Sequence, residues 1–134
     1  MEKYEWKQNV ELICFQAKKF PDGIQEAFDT LQQNISECDK RDWYGISYQG
    51  PNGEIIYKAA INKLFSDEHH HFEDFTVTTG TYLSEEIRDW MKNPAQIGET
   101  FMKMLSDPRL DVTFPCLEWY YDDHVLCLVR LTAD

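Results

Sequence analysis

The chain has 134 residues, of which 43% are hydrophobic and 14% aromatic, and it carries a formal net charge of −11. This composition predicts one packed globular domain and argues against a disordered chain. Because so acidic a surface repels phosphate, the charge disfavours direct nucleic-acid binding, and no basic run offsets it. No apolar run reaches the ~20 residues of a membrane helix, and the first residues contain no signal core, so we expect a cytoplasmic protein.

The first half of the chain predicts a β-α-β-β unit. Residues 10–20 form an apolar strand, which Pro21-Asp22-Gly23 ends. A helix follows from about Gly23, and Asp22 is its candidate N-terminal cap. Two strands, at about 44–48 and 54–63, then flank a Gly-Pro-Asn-Gly segment that favours a tight hairpin.

The second half repeats this order of signals. Its predicted elements are a strand at 75–82 interrupted by Gly80, a short helical segment at 85–91, a helix from about Pro94 capped by Asn93, and strands at 116–120 and 125–131. We therefore predict a single domain over 1–134, with pseudo-repeats at about 1–66 and 67–134. The expected fold is α+β: duplicated β-α-β-β units form one curved antiparallel sheet, with two main helices on one face and a ligand cleft on the other.

Metal and cofactor sites are not predicted. The polar segment 66–71 ends in His69-His70-His71, but adjacent residues of an extended loop point in different directions, so we expect a solvated linker. The four cysteines include no Cys-x-x-Cys pair, which disfavours both a zinc site and a disulfide framework. No Gly-rich phosphate loop or dinucleotide fingerprint occurs.

One strand carries a candidate binding group. Side chains alternate along it, so one face holds Cys116, Glu118 and Tyr120, and the other holds Leu117, Trp119 and Tyr121. The second set is more apolar, and we expect it to pack under the helices while the first set lines the cleft. A carboxylate among aromatic rings, away from bulk water, attracts a lipophilic organic cation. The alternatives are a Glu118 that points at water, or one paired with Lys58 or Arg130.

Further aromatic side chains are candidates for the walls of this site. Tyr57 and Tyr82 are favoured because each lies in or beside a strand near the predicted seam and has a hydroxyl that could orient a ligand. The full set of predicted ligand-binding residues is Glu118, Tyr120, Tyr82, Tyr57, Tyr48, Trp90 and Cys116.

The second half resembles the GyrI-like family of effector-binding domains. The similar residues are Thr76–Tyr82, the helix around Ile97–Leu105, and Pro115–Tyr120, which is similar to the family's Pro-x-x-Glu-x-Tyr strand; weaker matches are Phe20–Ile24, Tyr44–Ser47 and Tyr57–Ala59. The resemblance implies a duplicated β-α-β-β fold with a central pocket in which Glu118 takes the place of the family's buried acidic residue. It also implies ligands that are amphiphilic, often cationic, aromatic compounds. Some members inhibit DNA gyrase, some hydrolyse cyclopropane-containing compounds, and others are fused to DNA-binding domains. We expect no room for a DNA-binding domain in these 134 residues.

Three functions therefore stay open. The first is a stand-alone effector-binding domain that sequesters or senses a lipophilic, cationic aromatic compound. The second is a hydrolase in which Glu118 activates water and a tyrosine donates a hydrogen bond to the leaving group. The third is a protein-interaction module, such as a gyrase inhibitor, that uses the acidic surface. We favour binding over catalysis and expect a small-molecule ligand, no direct contact with nucleic acid and no membrane contact; a homodimer and a protein partner are left open.

Overall fold

A computed structural model describes residues 1–132, which form two compact units. One unit consists of Asn9–Val77. The other combines Met1–Gln8 with the chain from Thr78 onward. Each unit is an antiparallel sheet of four strands with one α-helix, which confirms the predicted α+β class. Within the described chain, neither helix is long and apolar enough to span a bilayer.

The Asn9–Val77 unit contains four strands and one helix. These are β2 (Val10–Gln16), α1 (Ile24–Asn34), β3 (Trp43–Gln49), β4 (Ile55–Asn62) and β5 (Glu73–Val77). The strands are hydrogen-bonded in the order β3-β4-β2-β5. Ala27 and Leu31 of α1 are buried against Ile13 of β2 and Ile61 of β4. This core follows from the helical spacing of apolar residues on α1 and from alternation along the strands.

The other unit has the same arrangement. Its elements are β1 (Glu2–Trp6), β6 (Gly80–Arg88), α2 (Ala95–Met104), β7 (Cys116–Tyr121) and β8 (His124–Arg130). The strand order is β1-β6-β8-β7. Phe101 and Met104 of α2 are buried against Leu83 and Ile87 of β6 and the β8 residues Val125, Cys127 and Val129. We call the residues of this core the α2-side core.

The two units are built alike, element for element. In each, a strand, a helix and a hairpin follow in the order predicted, with β2, α1, β3 and β4 corresponding to β6, α2, β7 and β8. In each, a further strand from elsewhere in the chain completes the sheet: β5 pairs with β2, and β1 pairs with β6. The sequence did not reveal β1, because its alternating charged and aromatic residues, Glu2 to Trp6, are also typical of an exposed terminus.

Two local predictions were wrong. The strand predicted at 75–82 is two strands, which end and begin around Gly80, a residue with φ of +151°. The helical segment predicted at 85–91 is instead the second half of β6, paired with β8 as far as Arg88. Leu83 and Ile87 both face the α2-side core. Their spacing of four residues suits one face of a strand as well as one face of a helix, so periodicity alone could not distinguish the two.

The helix positions were predicted well, but the caps were not. The helices start at Ile24 and Ala95, close to the predicted starts. The residues at the cap positions are Gly23 and Pro94, and neither makes a side-chain capping hydrogen bond. The first turn of α2 begins on backbone bonds, since the carbonyl of Asn93 accepts from the Gln96 amide at 3.0 Å.

Candidate functional site

Glu118 lies on the face of its sheet that α2 covers. In the β7–β8 register Glu118 is opposite Cys127 and Tyr120 is opposite Val125, and both partners belong to the α2-side core. Directly opposed residues of an antiparallel pair share a face. Cys116 and Tyr120 pack against the same core.

The predicted faces of β7 were therefore reversed. Trp119, expected under the helix, lies with Trp6 and Tyr121 on the opposite face, at ring-centroid distances of 5.6 and 5.0 Å. Leu117 on that face is fully buried. Because β7 has nonpolar side chains on both faces, hydrophobicity alone did not reveal which face α2 covers.

Glu118 is buried and hydrogen-bonded to the side chain of a neighbouring tyrosine. Only 7% of the residue is exposed. The hydroxyl of Tyr120 donates a hydrogen bond to Oε1 of Glu118. This bond joins two residues on one face of one strand, so the strand itself sets the geometry of the pair.

An indole adds a second aromatic wall. Trp90 begins the 3₁₀ turn Trp90–Lys92, which precedes α2, and it packs on the α2-side core. The centroids of the Trp90 and Tyr120 rings are 5.1 Å apart, and the ring planes are inclined by 62°. This edge-to-face contact involves the ring of Tyr120 and is compatible with the hydrogen bond from its hydroxyl to Glu118. Trp90, Cys116, Glu118 and Tyr120, together with Cys127, are referred to below as the Glu118 cluster.

The two thiols of the cluster stay protonated at neutral pH. Burial, and then the charge of Glu118, raises the pKa of Cys116 to about 11. The same two causes raise the pKa of Cys127 further. Since the thiolate is the reactive form of cysteine, neither side chain is a nucleophile at neutral pH. They contribute small apolar surface beside the carboxylate.

Sequence reasoning missed Cys127 as a neighbour of Glu118. The two-residue turn Asp122-Asp123 could have predicted this pairing, because its length sets the register of the β7–β8 hairpin. Tyr121 pairs with His124 across it, and this fixes every other pair of the hairpin.

Tyr82 lies on the opposite face of this sheet from Glu118. It is fully buried, its hydroxyl donates to the Thr78 carbonyl at 2.7 Å, and Nη1 of Arg130 donates to that hydroxyl at 3.3 Å. Its ring contacts Trp6 and Phe114. Burial raises the pKa of the Tyr82 hydroxyl. The structure therefore does not bring Tyr82 together with the Glu118 cluster within this unit.

Tyr48 and Tyr57 belong to the Asn9–Val77 unit, and they differ in exposure. Tyr57 is 3% exposed in the core beneath α1, where it stacks on Phe20 at 6.0 Å. Tyr48 is 38% exposed, with Nζ of Lys58 5.7 Å from its ring centroid. Their assignment to a ligand site stays a prediction.

The histidine segment is more ordered than a solvated linker. The side chain of His70 is only 6% exposed. Its Nδ1 accepts from the Phe72 amide at 3.0 Å, and its Nε2 lies 2.7 Å from Oδ1 of Asp74. Both ring nitrogens are thus engaged, and the described part of the chain holds no cluster of metal-ligating side chains.

Two surface grooves lie away from Glu118. One, of about 410 Å³, is bordered by polar residues of β6 and α2, including Glu86 and Glu99. The other, of about 620 Å³, lies in the Asn9–Val77 unit and includes Phe20 and Ile55. Burial of a charged side chain is rarer than a surface groove, so the buried carboxylate of Glu118 is the stronger indication of a functional site.

Comparison with known proteins shows a shared fold. No family model and no curated protein matches this sequence. An integron cassette protein from the mobile metagenome of Vibrio cholerae is similar in structure, with a TM-score of 0.72 and 13% identity over 97% of this chain and 94% of that one. SAV2435, solved with bound tetraphenylphosphonium, has a TM-score of 0.62 and 11% identity over 98% of this chain and 93% of that one. A candidate bacterial transcription regulation protein from Staphylococcus aureus MU50 has a TM-score of 0.59 and 11% identity over 99% of both chains. At such identities the likeness establishes the fold alone.

Proposed function

We propose that this chain is a small-molecule-binding protein of the GyrI-like kind, and that its Glu118 cluster anchors lipophilic aromatic cations. The single observation that carries the proposal is the burial of Glu118, 7% exposed, beside the rings of Tyr120 and Trp90. Charged residues are rarely buried unless a partner or a function requires it. A carboxylate in a poorly solvated, aromatic setting attracts an organic cation whose own hydration is weak.

Two further observations support the cationic class of ligand. The net charge of −11 raises the local concentration of any cation near the surface. A solved structure of the same fold holds tetraphenylphosphonium, an aromatic cation. That compound is the natural first probe for this chain.

The size of the anchor effect follows from Coulomb's law. A carboxylate and a cationic centre about 8 Å apart, at an effective dielectric of about 20, attract by about 2 kcal/mol. Removing that attraction weakens binding by about thirtyfold. We therefore expect Glu118→Gln, which keeps the shape of the side chain, to raise the Kd for tetraphenylphosphonium by about this factor.

The test compares tetraphenylphosphonium with tetraphenylborate, an anion of nearly the same shape. Isothermal titration of the native protein should give tighter binding of the cation, and Glu118→Gln should reduce the difference. The matched control is Glu86→Gln. Glu86 also accepts a hydrogen bond from a tyrosine, Tyr121 at 2.7 Å, but it is exposed. The control removes the same formal charge and should change the preference by less than about twofold, because exposed charges are screened. Equal effects of the two substitutions would refute Glu118 as the anchor.

A further inference from the structure

Resting on the proposed function, we propose that the Tyr120 hydroxyl makes the Glu118 cluster selective for onium ions without N–H groups over protonated amines of the same charge. The observation behind this is that the Tyr120 hydroxyl already donates to Oε1 of Glu118. One oxygen of the carboxylate is therefore already engaged before any ligand arrives.

The other side chains of the Glu118 cluster are poor hydrogen-bond acceptors. The indole of Trp90 has only an N–H donor. The thiols of Cys116 and Cys127 are neutral, since burial and the charge of Glu118 raise both pKa values, and a thiol is a weak acceptor. The other residues of the α2-side core contribute hydrocarbon side chains and one thioether, and Thr100 of α2 is a buried hydroxyl outside the cluster. Acceptance by this cluster therefore falls mainly on the carboxylate of Glu118, one oxygen of which already accepts from Tyr120.

A primary ammonium ion brings three N–H donors, each bonded to water before binding. Burial without replacement bonds costs free energy for each donor. A quaternary ammonium or phosphonium ion has no donors to satisfy, and it retains its attraction to the carboxylate charge and to the faces of the Trp90 and Tyr120 rings. Tyr120 thus acts as a specificity-determining residue: its hydroxyl uses acceptor capacity at Oε1 that an ammonium donor would otherwise use.

A substitution can distinguish this hydrogen-bonding role of Tyr120 from a role in packing alone. Tyr120→Phe keeps the ring and its contact with Trp90, and it removes the donor from Oε1. Affinity for an amine should then rise relative to affinity for an onium ion. A purely packing role would change both affinities together.

The experiment uses one aromatic group carrying two different cationic heads: 1-naphthylmethyl-trimethylammonium and 1-naphthylmethylammonium. By titration calorimetry, the native protein should bind the quaternary ion at least about tenfold more tightly. Tyr120→Phe should reduce that ratio about tenfold, the weight of one hydrogen bond to a charged group. The control Tyr121→Phe removes the hydroxyl from the exposed pair with Glu86 and should leave the ratio unchanged.

A second measurement needs no variant. The monomethyl and dimethyl members of the same series remove N–H groups one at a time, and the affinity of the native protein should rise at each step. Two results would overturn the selectivity inference alone, provided that tetraphenylphosphonium binding depends on Glu118. The first is equal affinity of the native protein for the primary amine and the quaternary ion, and the second is an affinity ratio that Tyr120→Phe leaves unchanged. In either case the proposed function stands. If tetraphenylphosphonium does not bind at all, both are overturned.

Discussion

The buried pair of Arg41 and Glu68 makes the sharpest prediction about stability. The Arg41 side chain is 1% exposed and that of Glu68 is 11% exposed. Nη1 and Nη2 of Arg41 donate to the two carboxylate oxygens of Glu68 at 2.8 and 2.6 Å. The guanidinium also donates to the carbonyls of Ser36 and Asn62, each at 3.1 Å. The pair therefore fastens the segment after β4 to the turn after α1.

Removing one partner of this pair should lower the free energy of unfolding considerably. Arg41→Met leaves a nearly buried carboxylate without its two strongest donors, and two backbone carbonyls lose their partner as well. Breaking such a pair costs about 3–5 kcal/mol. A domain of this size has about 5–15 kcal/mol in total, so the loss is a large share. The double variant Arg41→Met/Glu68→Leu removes both charges and should regain most of it, to within about 2 kcal/mol of the native protein.

The assay is urea unfolding followed by far-ultraviolet circular dichroism, with each variant compared at a common slope. A single substitution that costs less than about 1 kcal/mol would refute this interpretation of the pair. So would a double variant no more stable than Arg41→Met.

The pH dependence gives an independent check on the same pair. The hydrogen bonds from Arg41 hold the pKa of Glu68 below its ordinary value. A carboxyl group with a lowered folded-state pKa stabilises the fold fully above its unfolded pKa of about 4.3, and this stabilisation is lost as the pH falls through the folded-state value. Stability of the native protein should therefore fall on acidification below about pH 4.5, and that of Glu68→Gln should fall less steeply. Identical pH profiles would contradict the assignment.

Two more predictions concern the other unit. Gly80 has φ of +151°, a conformation that residues with a side chain rarely adopt. Gly80→Ala should therefore lower stability by about 1–3 kcal/mol in thermal unfolding, and an unchanged Tm would contradict the strain. Because the charge of Glu118 contributes to the raised pKa of Cys116, Glu118→Gln should speed alkylation of Cys116 by iodoacetamide at pH 8.5, measured by mass spectrometry. An unchanged rate would show that Glu118 carries no charge in the free protein.

Local signals predicted most of the elements. Helical spacing of apolar residues gave α1 and α2 to within a few residues, and turn residues gave both hairpins. These features depend on a few neighbours in the chain, which a sequence displays directly. The strand β1 was not predicted, because its pairing partner β6 lies nearly eighty residues further along.

The sequence predicted several residues of the candidate site, but it did not predict which face of β7 carries them. The motif around Glu118 indicated a carboxylate among aromatic rings, and Glu118, Tyr120, Trp90 and Cys116 do lie together. The face they occupy depends on where α2 packs, which is a tertiary property. Arg41 was missed for a similar reason: a charged residue is expected outside, and its partner Glu68 is 27 residues away.

The duplication itself argues that the fold does not require Glu118. In the Asn9–Val77 unit, β3 takes the place of β7, and its positions on the α1 side are Trp43, Gly45 and Ser47, which lie opposite the core residues Ile61, Ala59 and Tyr57. The same scaffold thus folds with uncharged residues at these three positions on the helix side of that strand. A buried carboxylate costs free energy unless its interactions repay it. The unit that carries Glu118 buries a carboxylate on this strand, whereas the corresponding strand of the other unit does not. A buried charge that the fold does not need is typical of a binding residue, and this supports the proposal that the Glu118 cluster is the ligand site.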